Sequence, residues 1–332
     1  MLSNNIPIQY NKHTLKTFEL NYGKVMENVT VEYITSGNPK YDENGYITNA
    51  IVFCNKQNGQ PSVIRGAHNY LESKGKFNKG DFFFIVITSL GIPNSYSPST
   101  SNLMSDFPEY NIIDIVNFKR QFLSEKFKIK KIFGIIGEEN EGYEVFTWAC
   151  EYPDDMDFIL ILNSDFKTSG YRFIISKCFE SIVESNQDYY SNEYSVSSSK
   201  AVTAINTLLF AQSFSEKVFS NLTTHEIEAL LEDFIDEGLS LDIYDVNVRN
   251  NAILNYDVED KLKNIKAKTL FIYSDDSIYV YQPADVNVLK ENINDLKLLS
   301  YKSKKETYYD EEDYSLIGDE LISFLKECLK MK

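Results

Sequence analysis

The sequence predicts an α/β protein, a mostly parallel and doubly wound sheet interrupted by a helical insertion. Three observations carry that expectation. Short apolar runs, AIVFC (50–54), FFFIVIT (82–88), KIFGIIG (131–137), FILILNS (158–164) and KTLFIYS (268–274), are unbroken rather than alternating, as in parallel strands covered on both faces. Helical patterns lie between them, the rhythm of βαβ units. One stretch, 168–266, breaks that rhythm with helical and polar sequence and no convincing strand. The expected division is a core of 1–167 and 267–332 with a helical lid over 168–266.

Taken in order, the chain opens with strand character at KTFEL and VTVEYITSG, joined by a turn at NYGK. In 109–127, Ile112, Ile115, Val116, Phe122 and Leu123 share one helical face. In 142–152, Val145, Trp148, Ala149 and Tyr152 do the same, and near the C-terminus Leu316, Ile317, Leu321, Ile322 and Leu325 repeat the pattern. Inside the insertion lies a Ser-rich patch, YSVSSSK (194–200).

Composition narrows the function classes. The 332 residues are 43% hydrophobic and 25% charged, enough for a sizeable core. With 49 acidic against 33 basic residues the formal charge is -16, which repels nucleic acid and anionic membrane surfaces. The N-terminus lacks the basic-then-apolar pattern of a signal peptide, and no window reaches the roughly 18 apolar residues of a membrane span. Cys54, Cys150, Cys178 and Cys328 form no CxxC pair, and three of the four sit inside apolar or helical patterns, where a reduced core thiol is expected. A cytoplasmic location is expected, with no cofactor and no bound metal.

The stretch with the most chemistry is KIFGIIGEENEGYEVFTWACEYPDD (131–155), where a strand turns sharply into a helix. That is the setting of a nucleophile elbow, which needs small residues on either side of a strained nucleophile. Here the turn reads Glu-Glu-Asn-Glu. A solvated acidic first turn, favoured by the helix macrodipole, is one reading of Glu138, Glu139 and Glu141; a functional carboxylate cluster is the other.

Gly137, Gly142, Trp148, Ala149, Tyr152, Pro153 and Asp154 keep step with the elbow of the homoserine O-acetyltransferase group, which the chain resembles. IVFCNKQNG (51–59), FFFIVITSLGIPNSYSPST (82–100), DFPEYNIIDIV (106–116), YDVNVRNNAILNYDVED (244–260) and IKAKTLFIYSDDSIYVY (265–281) are similar to further family segments in the same order. The resemblance implies an α/β-hydrolase fold, an acyl-transfer ancestry and pairing of two copies through the lid. It puts Glu139 at the nucleophile, Asp276 at the triad acid and Glu306 at or near the triad histidine. Asn55, in the oxyanion-side loop, Asp245, in a family lid motif with Asn247, and Gln212, near a substrate-binding arginine of the family, become candidate ligand-binding residues.

The chain holds three histidines, His13, His68 and His225, and none follows His225. Nucleophile and base are therefore both replaced. The leading expectation is a catalytically degenerate relative retained to bind a small molecule or a protein. The alternatives are an active acyltransferase or hydrolase built on Glu139, Asp276 and Glu306, or a hard-cation site on the same oxygens, with Lys304 and Lys305 as possible neutralising neighbours. Cys54, ending an apolar strand, reads as a packed thiol; Ser89, Ser95, Ser97 and Ser99 read as turn formers, and His68 as solvated. Without catalysis nothing requires a strained elbow, so the 137–142 turn is expected to be relaxed. Glu139 is expected near ordinary backbone angles, with Gly137 and Gly142 taking any left-handed geometry and Glu141 obstructing the tight approach.

Overall fold

The apolar runs pair into one eight-stranded sheet of order β1-β2-β4-β3-β5-β6-β7-β8. The structure, a computed structural model, describes residues 9–54, 81–214, 216–238, 241–275, 283–302 and 311–330. The strands are β1 (Gln9–Glu19), β2 (Val25–Gly37), β3 (Ala50–Cys54), β4 (Phe83–Ile87), β5 (Ile132–Glu138), β6 (Met156–Leu162), β7 (Lys268–Ser274) and β8 (Leu296–Tyr301). β1, β2 and β4 pair antiparallel, and every other contact in the sheet is parallel. All residues of β3 and β4 are buried, which is why these strands show no polar alternation. The strand order and directions are those of the α/β-hydrolase fold.

Helices cover both faces. On one lie α1 (Ile112–Lys126) and α2 (Asn140–Glu151), whose Phe118, Phe122, Val145, Phe146 and Trp148 are fully buried against the sheet. Each such side chain contributes about 1.5–3 kcal/mol of burial. The start of α1 is held by a reciprocal cap: Asn111 Oδ1 accepts from Asp114 N at 3.1 Å, and Asp114 Oδ2 from Asn111 N at 3.0 Å. Asp114 Oδ1 also accepts from Asn21 N at 2.6 Å, which ties the β1–β2 turn to the helix.

Between β6 and β7 the chain makes a helical excursion through α3 (Gly170–Glu184), α4 (Val196–Ser213), α5 (Thr224–Gly238) and α6 (Ile243–Leu254). Ile175, Phe179, Val183, Ile205, Ile243 and Tyr244 give it a small core of its own. Beyond β7 follow α7 (Pro283–Asn292) and α8 (Glu311–Lys330). Ile317, Ile322, Phe324 and Leu325 of α8 pack on the opposite sheet face with Phe133, Phe158 and Leu270. Among the described residues no helix is long and apolar enough to cross a membrane.

Candidate functional site

The elbow at the end of β5 is tight, and its glycines explain why. A Cβ on Gly137 would lie 2.5 Å from the Glu141 carbonyl oxygen and 2.6 Å from Val145 Cγ2. A Cβ on Gly142 would lie 2.2 Å from Ser164 Oγ and 2.3 Å from Ser164 Cβ. Only residues without a side chain let α2 approach its own strand and the segment after β6 this closely.

Between these glycines Glu139 has φ 52° and ψ -120°, a conformation that costs a non-glycine residue on the order of 1–3 kcal/mol. The surroundings impose it. Glu139 N donates to Leu162 O at 2.9 Å, Ser164 Oγ donates to Glu139 O at 2.5 Å, and Gly142 N to Glu139 O at 3.1 Å. This overturns the expectation of a relaxed turn. Neither Gly137 nor Gly142 has a positive φ; the strain sits on Glu139 itself. Strain here follows from sheet and helix packing and survives the change of side chain.

Glu141 does not obstruct the elbow either. Its side chain turns inward and is buried, and Arg249 Nη2 of α6 donates to its Oε1. Behind it lies a second buried pair, Lys119 Nζ with Glu144 Oε2. Ser89 Oγ donates to Glu144 Oε1 at 2.8 Å, and Arg249 Nη2 stands 4.0 Å from that same oxygen. Burial opposes both cations, but the neighbouring carboxylates, with Cys54 beside Lys119, outweigh it and both pKa values rise. The two cations and two carboxylates balance, as a buried cluster of this size requires.

Cys54 borders this network. Burial pushes its thiol up to about 12, so it rests as a packed thiol rather than a nucleophile. The serines of the loop after β4 have structural partners: Ser95 Oγ donates to Thr30 O at 3.0 Å, and Ser97 caps the single helical turn Pro98–Ser101.

Asp245, near the start of α6, accepts from Ser99 N at 2.9 Å and from Ser99 Oγ at 2.5 Å. Burial pushes its carboxyl up to about 6 in spite of these two bonds. Gln212 is buried at the end of α4, and its amide makes no hydrogen bond among the described residues. Asn247 Nδ2 donates to Tyr189 Oη at 2.8 Å, inside the excursion. Asn55, Asp276, Glu306, His68, Lys304 and Lys305 lie outside the described residues. Of the two described histidines, His13 on β1 pairs with Glu125 Oε2 at 3.0 Å, and His225 is exposed near the start of α5. Among the described residues no group of three or more His, Cys, Asp or Glu side chains is placed to hold a metal ion.

Two groups at this site have no counterpart in the sequence reading. Arg172, in the first turn of α3, donates from Nη2 to Asn140 Oδ1 at 2.7 Å, placing a cation beside the residue that follows Glu139. Arg249 is the other. A signal for it existed: Glu141 and Glu144 share the helical stripe of Val145 and Trp148, so two carboxylates on a core-facing stripe called for buried cations.

No family model matches the chain. It is 32% identical over 299 residues to the "Probable acyltransferase" of Methanothermobacter thermautotrophicus, covering 90% of this chain and 92% of the relative. It is 24% identical over 341 residues to the homoserine O-acetyltransferase of Methanosalsum zhilinae, covering 89% of this chain and 68% of the relative. The structure of homoserine O-acetyltransferase from Bacillus anthracis superposes with a TM-score of 0.77 at 15% identity, over 96% of this chain and 97% of that one.

Proposed function

Because the chain belongs to the homoserine O-acetyltransferase-like family of α/β-hydrolase-fold acyltransferases, we propose that it is a member without serine-based acyl transfer whose elbow binds a small amino-acid-like molecule. The observation that carries the reading is a carboxylate, Glu139, held at φ 52° where the family presents a serine. In the serine route a hydroxyl attacks the acyl carbonyl while an imidazole takes its proton. Of the three histidines, His13 lies on β1, His225 is exposed near the start of α5 and His68 lies outside the described residues; none follows His225, the part of the chain where the family's base stands.

A carboxylate at this position is suited instead to accept hydrogen bonds from an ammonium or hydroxyl group. Arg172 brings the opposite charge to the neighbouring Asn140 and suits a carboxylate. The relatives' name supplies homoserine, which carries all three groups. Calorimetric titration with L-homoserine tests this. Binding should weaken about tenfold or more in Glu139→Gln and in Arg172→Met, the loss of a charge-assisted contact. With acetyl-CoA and L-homoserine together, thiol release should stay at the uncatalysed rate. No binding, with thiol release that vanishes in Glu139→Ala, would sink the proposal.

The retained strain favours one second reading, an acyltransferase with a carboxylate nucleophile. A Glu139 carboxylate oxygen would attack the thioester carbonyl and expel the thiolate, leaving a mixed anhydride that an acceptor hydroxyl then opens, its proton passing to solvent and Glu139 restored. Hydroxylamine added with acetyl-CoA would convert that anhydride into a hydroxamate on Glu139, or into acetohydroxamate faster than hydroxylamine forms it from the thioester alone. Mass spectrometry showing no hydroxamate on Glu139, with acetohydroxamate formed no faster than without the protein, would exclude this route.

A further inference from the structure

The excursion is tied to the elbow by a buried charge pair. Arg249 of α6 is 5% exposed, and its Nη2 donates to Oε1 of Glu141, itself 3% exposed. Glu141 stands two residues beyond the strained Glu139, in the first turn of α2. On the same face of α6, one turn earlier, Asp245 is held by Ser99 N and Oγ. Helix α6 is thus pinned to the loop after β4 through Asp245 and to the elbow through Arg249. Arg249 Nε and Nη1 make no hydrogen bond among the described residues, so the Glu141 contact orients the guanidinium.

From this geometry we infer that Arg249 is a positioning residue, which holds the elbow through Glu141 and couples the backbone of Glu139 to the position of α6. A carboxylate in the first turn of a helix ordinarily stays in water, where the helix dipole already favours it. Glu141 is drawn inward because Arg249 is buried there, and turning it outward would leave the guanidinium and Lys119 to share the single carboxylate of Glu144. The sheet side of the elbow is held by the Leu162 and Ser164 contacts; the pair supplies a constraint on the helix side. A displacement of α6 would release Glu141 and let φ at Glu139 fall back to negative values. The coupling concerns how Glu139 is held and stands whatever Glu139 binds.

Hydrogen exchange resolved by peptide mass spectrometry tests this on the full chain. Two variants are compared with the unaltered protein: Glu141→Gln, and the double change Glu141→Leu with Arg249→Met, which removes both charges at similar volume. Amides in 137–142 should exchange on the order of fivefold faster in both, while peptides from β1 and β2 keep their rates. Unchanged exchange over 137–142 in either folded variant would overturn the inference, reducing the pair to packing. Equal acceleration in every peptide would overturn it too, since that reports a general loss of stability. The double variant guards against a single variant that fails to fold, because exchanging a buried pair for apolar residues is often neutral.

Discussion

Gly142 and Ser164 are in such close contact that a Cβ at residue 142 would sit 2.2 Å from the serine Oγ, the hydroxyl that donates to the carbonyl of Glu139. One contact therefore serves the backbone of the elbow and its approach to the segment after β6. Gly142→Ala should lower stability by about 1–3 kcal/mol, the range for an overpacked site. Urea unfolding reads this directly, as a lower midpoint with an unchanged slope. A midpoint equal to that of the unaltered protein would mean that this approach is looser than 2.2 Å implies.

Glu139→Gly should have the opposite sign. Glu139 is a non-glycine residue at φ 52° and ψ -120°, and glycine adopts positive φ without a Cβ penalty. Relief of strain outweighs the added freedom of the unfolded chain, so the variant should gain about 1 kcal/mol in the same assay. It should lose binding of L-homoserine at the same time, the usual exchange of function for stability at a strained site. A variant that is less stable than the parent would show that the side chain makes contacts worth more than the strain.

The framework was legible because parallel strands leave a local mark. The run KTLFIYS (268–274) is β7 residue for residue, and AIVFC is β3, since burial on both faces leaves nothing polar to alternate. Strand β8 left no such run: Leu296–Tyr301 is only partly buried along most of its length and carries Lys297 and Ser300. The state of the elbow was not legible. Its strain is set by Leu162 O and Ser164, more than twenty residues away in sequence, while the side-chain change at Glu139 argued from function alone. Arg249 escaped notice for a related reason. Its partner Glu141 lies 108 residues earlier, and a charged residue in IYDVNVRNNAIL looks solvated until the fold brings a carboxylate to it.

The excursion also carries apolar groups that water would not favour. Tyr171, Phe173 and Ile174 of α3 are exposed, as are Tyr190, Tyr194 and Val196. Large apolar side chains exposed in two segments of the excursion, 171–174 and 190–196, suit an interaction surface, and we propose a second copy of this chain as the occupant. Sedimentation velocity at micromolar concentration should give a dimer. Phe173→Asp combined with Ile174→Lys should give a monomer with unchanged far-ultraviolet circular dichroism. A parent protein that sediments as a monomer would count against the pairing.

Asp245 sets the last expectation. Burial raises its carboxyl from 3.8 to about 6, against the two bonds from Ser99 and with a further push from Asp242. A raised acid binds its proton more tightly in the folded chain than in the unfolded one. Its contribution to stability is therefore full below about pH 4 and is lost as pH rises through about 6. Asp245→Asn removes the titration while its carbonyl oxygen still accepts from Ser99 N. The stability of the variant relative to the parent should rise between about pH 4 and pH 7 by on the order of 1–3 kcal/mol, then stay level. Parallel urea midpoints across that range check the sign. A difference between the two proteins that stays flat from pH 4 to 7 would place the Asp245 carboxyl in water-like surroundings, contrary to its burial beneath Ser99.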